Sequence, residues 1–185
     1  MSSGRPDRPL PTHLTFVRKL VRWSRVAYLK VRLRKKLVLG NNVYFAKRAD
    51  VRPPDFAHFG DNVAVGYEFF VDQNLKVGSD VLISSRVSII GNDHLFDNPT
   101  KSVYWAGRYP PATVHLEGDN LIGFGVIILG NVRIGKGCIV GAGAVVTRDL
   151  PANTICVGIP AKPIKNRFQD DLGTGDLGGA YESQL

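Results

Sequence analysis

Cysteine is scarce in this chain, and acid is nearly missing from its first fifty residues. Cys138 and Cys156 are the only cysteines, too few for a disulfide scaffold, and they read as reduced thiols. No apolar run approaches the ~18 residues that a membrane-spanning helix needs. The first apolar stretch is studded with Arg and Lys, which excludes a signal-peptide reading. The expected setting is the cytoplasm. In residues 1–50, Asp7 and Asp50 stand against 13 Lys and Arg, a net +11, whereas residues 51–185 carry 11 Lys and Arg against 14 Asp and Glu, a net −3. The basic character therefore belongs to the N-terminal segment and not to the body. No recognition motif accompanies it, so no nucleic-acid partner is expected.

What the chain has instead is a beat of six. From Phe59 to His94 an aliphatic or aromatic residue falls at Phe59, Val65, Val71, Val77, Ile83 and Ile89. The beat resumes at Leu116, Ile122, Ile128, Ile134, Val140 and Val146, and a weaker lead-in runs through Leu33, Leu39, Phe45 and Val51. Gly follows directly at seven of the sixteen positions: Gly40, Gly60, Gly66, Gly78, Gly123, Gly135 and Gly141. Neither a helix nor a hairpin sheet has this period, and a hexapeptide repeat is the signature of a solenoid. The fifth residue of each hexad should also point inward. Thirteen of these sixteen are apolar, and the exceptions, Asp55, Asp93 and Asn120, lie beside breaks in the beat. The first break is placed at Ala57-His58, and the second is the long segment 95–115.

The chain divides accordingly. Residues 1–12 read as a disordered tail, 13–32 as a basic amphipathic helix, 33–167 as the repeat domain with its extruded loop at 95–115, and 168–185 as a Gly-rich acidic tail. In the helix, Phe16, Val17, Leu20, Val21, Ala27, Tyr28 and Val31 form one apolar stripe; Arg18, Arg22, Arg25 and Arg32 fall on the other side, a face that Val26 and Leu29 spoil a little. Two roles suit it: a cap on the first coil, or peripheral contact of residues 14–36 with the inner face of an anionic membrane. A loop as long as 95–115 inside a compact repeat is more often functional than filler.

The hexads, the loop opening Asn92-Asp93-His94, and the run from Gly141-Ala142-Gly143 through Thr147-Arg148 to Pro151, closing in Gly158-Ile159-Pro160-Ala161-Lys162, together resemble the hexapeptide-repeat acyltransferases. The resemblance is to the sugar O-acetyltransferase branch, which includes maltose, galactoside and surface-polysaccharide acetyltransferases. It covers about residues 33–167. It implies an all-β fold, a left-handed parallel β-helix with three hexads per coil, assembled as a homotrimer with active sites between subunits. It also implies acetyl-CoA as donor and no metal.

With three hexads per coil, residues 18 apart stack, so Phe124 and Ala142 should lie one above the other, about 4.8 Å apart. In the resembling enzymes these positions face the pantetheine arm, and Thr147, Arg148 and Lys162 match positions near the nucleotide end, where cations suit phosphate. Acetyl transfer to an alcohol needs a base and oxyanion donors. His94 matches the family's catalytic histidine, and Asp93 or Asn92 is placed to fix its tautomer, although the hexad pattern turns Asp93 inward and a backbone carbonyl is an equally good orienter. Tyr104, Trp105 and Arg108 suit a sugar platform, with Trp105 equally suited to packing on a neighbouring subunit. His115, which ends the loop, is a candidate dyad partner or substrate contact, or a structural residue. Glu68, Asp72 and Asn74 belong to earlier coils and are candidates to face the acceptor. Cys138 and Cys156, also 18 apart, read as stacked core residues.

The function expected is transfer of acetyl from acetyl-CoA to a sugar hydroxyl, of a surface or lipid-linked glycan. Three alternatives differ in class. An N-acetyltransferase of a nucleotide-linked amino sugar would commonly carry a further nucleotide-binding domain. A zinc carbonic anhydrase on this solenoid needs three histidine ligands, and the repeat region holds only His58, His94 and His115 without a close pair. A trimeric scaffold would not need the C-terminal motifs.

Overall fold

The computed structural model describes residues 12–168 except Asn92. The calls on the two tails lie outside the described residues. Helix α1 (Thr12–Leu33) contains neither Gly nor Pro, and ends where Arg34 turns into the left-handed region (φ 48°) and a short 3-10 turn begins.

Five coils of parallel strands follow. They are β1 (Leu37–Leu39), β2 (Tyr44–Phe45) and β3 (Asp50–Val51); β4 (Ala57–Phe59), β5 (Val63–Val65) and β6 (Phe70–Val71); β7 (Asn74–Val77), β8 (Val81–Ile83) and β9 (Ser88–Ile90). After the loop come β10 (Thr113–Leu116), β11 (Leu121–Ile122) and β12 (Ile127–Leu129), then β13 (Val132–Ile134), β14 (Ile139–Val140) and β15 (Val145–Val146). β16 (Thr154–Val157) continues the solenoid, and β17 (Lys162–Asn166) folds back antiparallel on it. The first strand of every coil joins sheet A, the second sheet B and the third sheet C. The fold is thus the parallel β-solenoid that the beat of six predicts.

The core follows the hexads. All beat positions from Phe45 to Val146 are buried, with Leu33 and Leu39 packed at its edge. Among the polar fifth positions only Asn120 turns in: it accepts from the Gly118 N–H and donates to the carbonyls of Gly135 and Cys138. Asp55 and Asp93 are exposed, because at both the chain is leaving the coil. Cys138 and Cys156 are buried with sulfurs 3.8 Å apart and unbonded, and burial pushes the Cys138 thiol up to about 12.

The three corners differ. At the A–B corner Asn42, Asn62, Asp80, Asp119, Gly137 and Asn153 all have positive φ, and at the B–C corner so do Arg48, Glu68, Arg86, Gly125 and Gly143. The C–A corner has no such column, and every change of coil length falls there. Val51 and Val71 are partners, as are Ala57 and Leu75, so the two extra residues of the first coil lie between Val51 and Ala57. This corrects the placement of the insertion at Ala57-His58, since both residues belong to β4. Pairing of Ile134 with Leu150, 16 residues on, removes two residues at the same corner, and the loop after β9 leaves and returns there.

The helix docks by a face other than its most apolar one. Leu29 is buried, and Val26 and Leu33 pack on the core. Arg22 lies 4.3 Å over the Tyr44 ring, and Arg32 reaches Asp50 at 3.4 Å. Val17, Leu20, Val21, Tyr28 and Val31 of the expected stripe remain exposed; the side chain of Phe16 lies outside the described residues.

Candidate active site

His94 sits at the neck of the loop on the C–A corner. It forms an antiparallel bridge with Arg108, flanked by bonds from the Leu95 N–H to the Gly107 carbonyl and from the Tyr109 N–H to the Asp93 carbonyl, both 3.0 Å. The histidine is half-buried, and its Nδ1 has no hydrogen-bond partner among the described residues. Asp93 does not orient the ring here: its carboxylate accepts from the backbone N–H of His94 at 2.7 Å. Asn92, the other side chain named as an orienter, lies outside the described residues.

The neck is tied to the coil below by one side-chain amide that the sequence reading did not assign to it. Gln73 is buried, and its Oε1 accepts from the Ala112 N–H at 2.6 Å where the loop returns. Asn74 is committed to the preceding coil: it accepts from the backbone N–H groups of Asp55 and Phe56 and donates to the Asp55 carboxylate. It is therefore not turned to an acceptor. A polar pair beside a beat position was the available signal.

Beyond the neck the loop offers aromatic surface. Phe96 and Tyr109 meet edge-on at 5.7 Å. Tyr104 and Trp105 meet edge-on at 4.8 Å, each 75% exposed on a short turn (Val103–Trp105). Arg108 is exposed beside the neck.

His115 is on a different surface. It faces outward from sheet A in register between Lys76 and Arg133, with His58 beyond Lys76. Partial burial, and then the Lys76 and Arg133 cations, depress its pKa. Glu117 pairs with Arg133 and accepts from the Lys136 N–H, which holds its carboxyl below the usual range. Among the described residues no three His, Cys, Asp or Glu cluster as a metal site.

The B–C corner carries the second half of the site. Ile122 pairs with Val140, and the Gly143 N–H donates to the Phe124 carbonyl at 2.8 Å, so Phe124 and Ala142 stack one coil apart as expected. Both are exposed. In the lower coils this corner bears an ionic ladder, with Glu68 bonded to Arg48 at 2.9 Å and to Arg86 at 3.0 Å. The two cations hold the Glu68 carboxyl below its ordinary range. Arg86 also lies 5.6 Å over the Phe124 ring. Above it the ladder gives way to Gly125 and Gly143, where an added Cβ would meet nothing within 4 Å. This bare trough was missed in the sequence, although Gly at the fourth hexad position in two successive coils was its sign.

Lys162 is close to the top of the trough, because the adjoining Ala161 N–H donates to the Val145 carbonyl at 2.8 Å. Thr147 and Arg148 lie past the far end of β15, on the same corner as His94 and two coils further on. All three are exposed, and Arg148 and Lys162 form no ion pair among the described residues. The trough and His94 lie on opposite sides of sheet C. At ~3.3 Å per residue, the six residues from Ser85 to Gly91 separate them by roughly 20 Å.

Residues 113–148 of this solenoid match the bacterial transferase hexapeptide family (six repeats). Over about two thirds of its length the chain is similar to hexapeptide-repeat acyltransferases. It is similar to a galactoside O-acetyltransferase from Lactococcus lactis, 33% identical over 136 residues that cover 69% of this chain and 65% of that protein. Its fold matches a maltose O-acetyltransferase from Clostridium difficile with a TM-score of 0.54, 28% identity and coverage of 72% of each chain. It also matches an N-acyltransferase from Bacillus cereus in complex with dTDP and coenzyme A, with a TM-score of 0.61, 23% identity and coverage of 76% and 88%. The chain spans between 58% and 66% of the length of three curated relatives it matches.

Proposed function

We propose that this chain is an O-acetyltransferase that moves acetyl from acetyl-CoA to a sugar hydroxyl of a surface or lipid-linked glycan. The observation that carries the reading is the bare trough of Phe124, Gly125, Ala142 and Gly143, one sheet away from a half-buried histidine at a loop neck. A thin extended thioester arm suits the open backbone at Gly125 and Gly143, beside the exposed Phe124 ring. Arg148 and Lys162, without an ion pair among the described residues, are cations of the kind that phosphate groups need.

In the proposed reaction His94 takes the proton of the acceptor hydroxyl as the oxygen attacks the thioester carbonyl. The tetrahedral intermediate collapses, the C–S bond breaks, and His94 returns the proton to the departing CoA thiolate. Tyr104 and Trp105 give the apolar face of a pyranose a surface to stack on, and Arg108 offers donors to its hydroxyls.

The separation of the half-sites supports a homotrimer in which the histidine of one copy serves the trough of the next. The outer face of sheet B favours the same assembly: Ala64, Leu82, Leu121, Ile139 and Ile155 form an apolar column in register, with Leu82 55% exposed in the single chain. Such a column is expected to be covered in an oligomer.

Purified protein assayed with acetyl-CoA and paired hydroxyl and amino sugars tests the reading. His94→Ala should lower kcat by about 10²–10⁴-fold, with CoA affinity by calorimetry and oligomer mass unchanged. Turnover unaffected by the substitution would sink the assignment. Faster transfer to amino acceptors would move the enzyme to N-acetylation, a reading favoured by the fold match to the N-acyltransferase.

A further inference from the structure

We propose that α1 docks the protein on an anionic membrane: one face seats the helix on the solenoid while the opposite face enters the lipid interface. The two candidate roles of the helix thus belong to different sides of one element.

At 100° per residue, Val26, Leu29 and Leu33 fall within one narrow sector, and these are the residues packed on the core. On the other side Trp23, Leu20, Val31, Val17, Tyr28 and Val21 spread over about 160°. Trp23 is 69% exposed, Leu20 55%, Val31 75% and Tyr28 63%. Val17 and Val21 border a groove of about 810 Å³ over sheet B, opposite Leu82 and Leu121. The outward surface that meets a bilayer is therefore Leu20, Trp23, Tyr28 and Val31. Trp and Tyr are the side chains favoured at a lipid–water boundary. No described helix is long and apolar enough to cross a membrane, so an apolar face flanked by cations lies in the interfacial plane.

Charge selects the occupant. Residues 12–36 carry nine Lys and Arg and no Asp or Glu. Lys30, Arg34 and Lys35 are exposed and make no ion pair among the described residues. Nine like charges oppose packing of this helix on that of a second copy. The same charges are attracted to phosphate headgroups beneath the inserted side chains. The inference does not depend on acetyl transfer, but it would bring a lipid-linked acceptor and the protein to one surface.

The full-length chain would be sedimented with vesicles of pure phosphatidylcholine, or of phosphatidylcholine with 30% phosphatidylglycerol. Partitioning should be at least about ten-fold stronger on the anionic vesicles, and should fall at least about ten-fold when salt rises from 0.1 to 0.5 M. In a Trp105→Phe background Trp23 emission should shift to the blue on binding. Leu20→Asp with Val31→Asp, both outward-facing, should abolish sedimentation and the shift while leaving oligomer mass unchanged. Three results would each overturn the proposal: equal or absent partitioning on the two vesicles, vesicle binding retained by the double variant, or a change in its oligomer mass, which would assign the face to a second copy.

Discussion

A histidine that is partly buried and flanked by two cations resists protonation, and His115 is in that position between Lys76 and Arg133 on sheet A. Its folded pKa is depressed, so between that value and the unfolded ~6.5 the unfolded chain binds more protons and stability rises with pH. Stability should therefore fall as pH drops below about 6.5, and His115→Gln should flatten that part of the profile in urea titrations at pH 7.5 and 5.5. Equal slopes in the two proteins would remove the effect. His94 was legible in the sequence because it opens a break in a regular beat. The neighbours of His115 were not, because they depend on where strands separated by a long loop come back into register. Asp93 was misread for a related reason: the hexad rule holds only while the chain stays on the coil, and at this residue it departs.

The strands show why glycine occupies the slot after the beat. A Cβ on Gly123 would lie 2.6 Å from the Ala142 nitrogen, and one on Gly66 2.5 Å from the Ser84 carbonyl carbon. Neither neighbour can yield, because each is the backbone of the next coil. Gly66→Ala should cost about 1–3 kcal/mol, read as a lower urea midpoint, whereas Val38→Thr on the outer face of β1 should change little. If the two substitutions had equal effects, the close approach of coils would not explain the glycine. Strands and core were legible at this level because the period repeats the same physical demand many times. The seat of α1 was not. Periodicity finds the most apolar stripe of a helix, but three residues at its C-terminal end, Val26, Leu29 and Leu33, are what the open first coil accepts.

At the scale of the whole molecule, the distance between His94 and the trough makes a shared site testable without a structure of the assembly. His94→Ala subunits retain an intact trough, and Ala142→Trp subunits retain an intact histidine. Each pure variant should be inactive. Co-refolded equal mixtures should regain about one quarter of wild-type activity, because that fraction of neighbouring pairs joins one good half of each kind. No recovery would place both halves in one chain. The positive-φ columns at two corners have a further consequence for how such a protein can change. They hold the coil to a fixed count of residues there, while the third corner absorbs two extra residues, a loop and a shortening without loss of register above or below. That corner is a splice point. Segments of different length and composition can be exchanged between Gly91 and Ala112, and under the proposed function acceptor preference would diverge there while the contacts at Phe124 and Ala142, on the locked corner, are inherited unchanged.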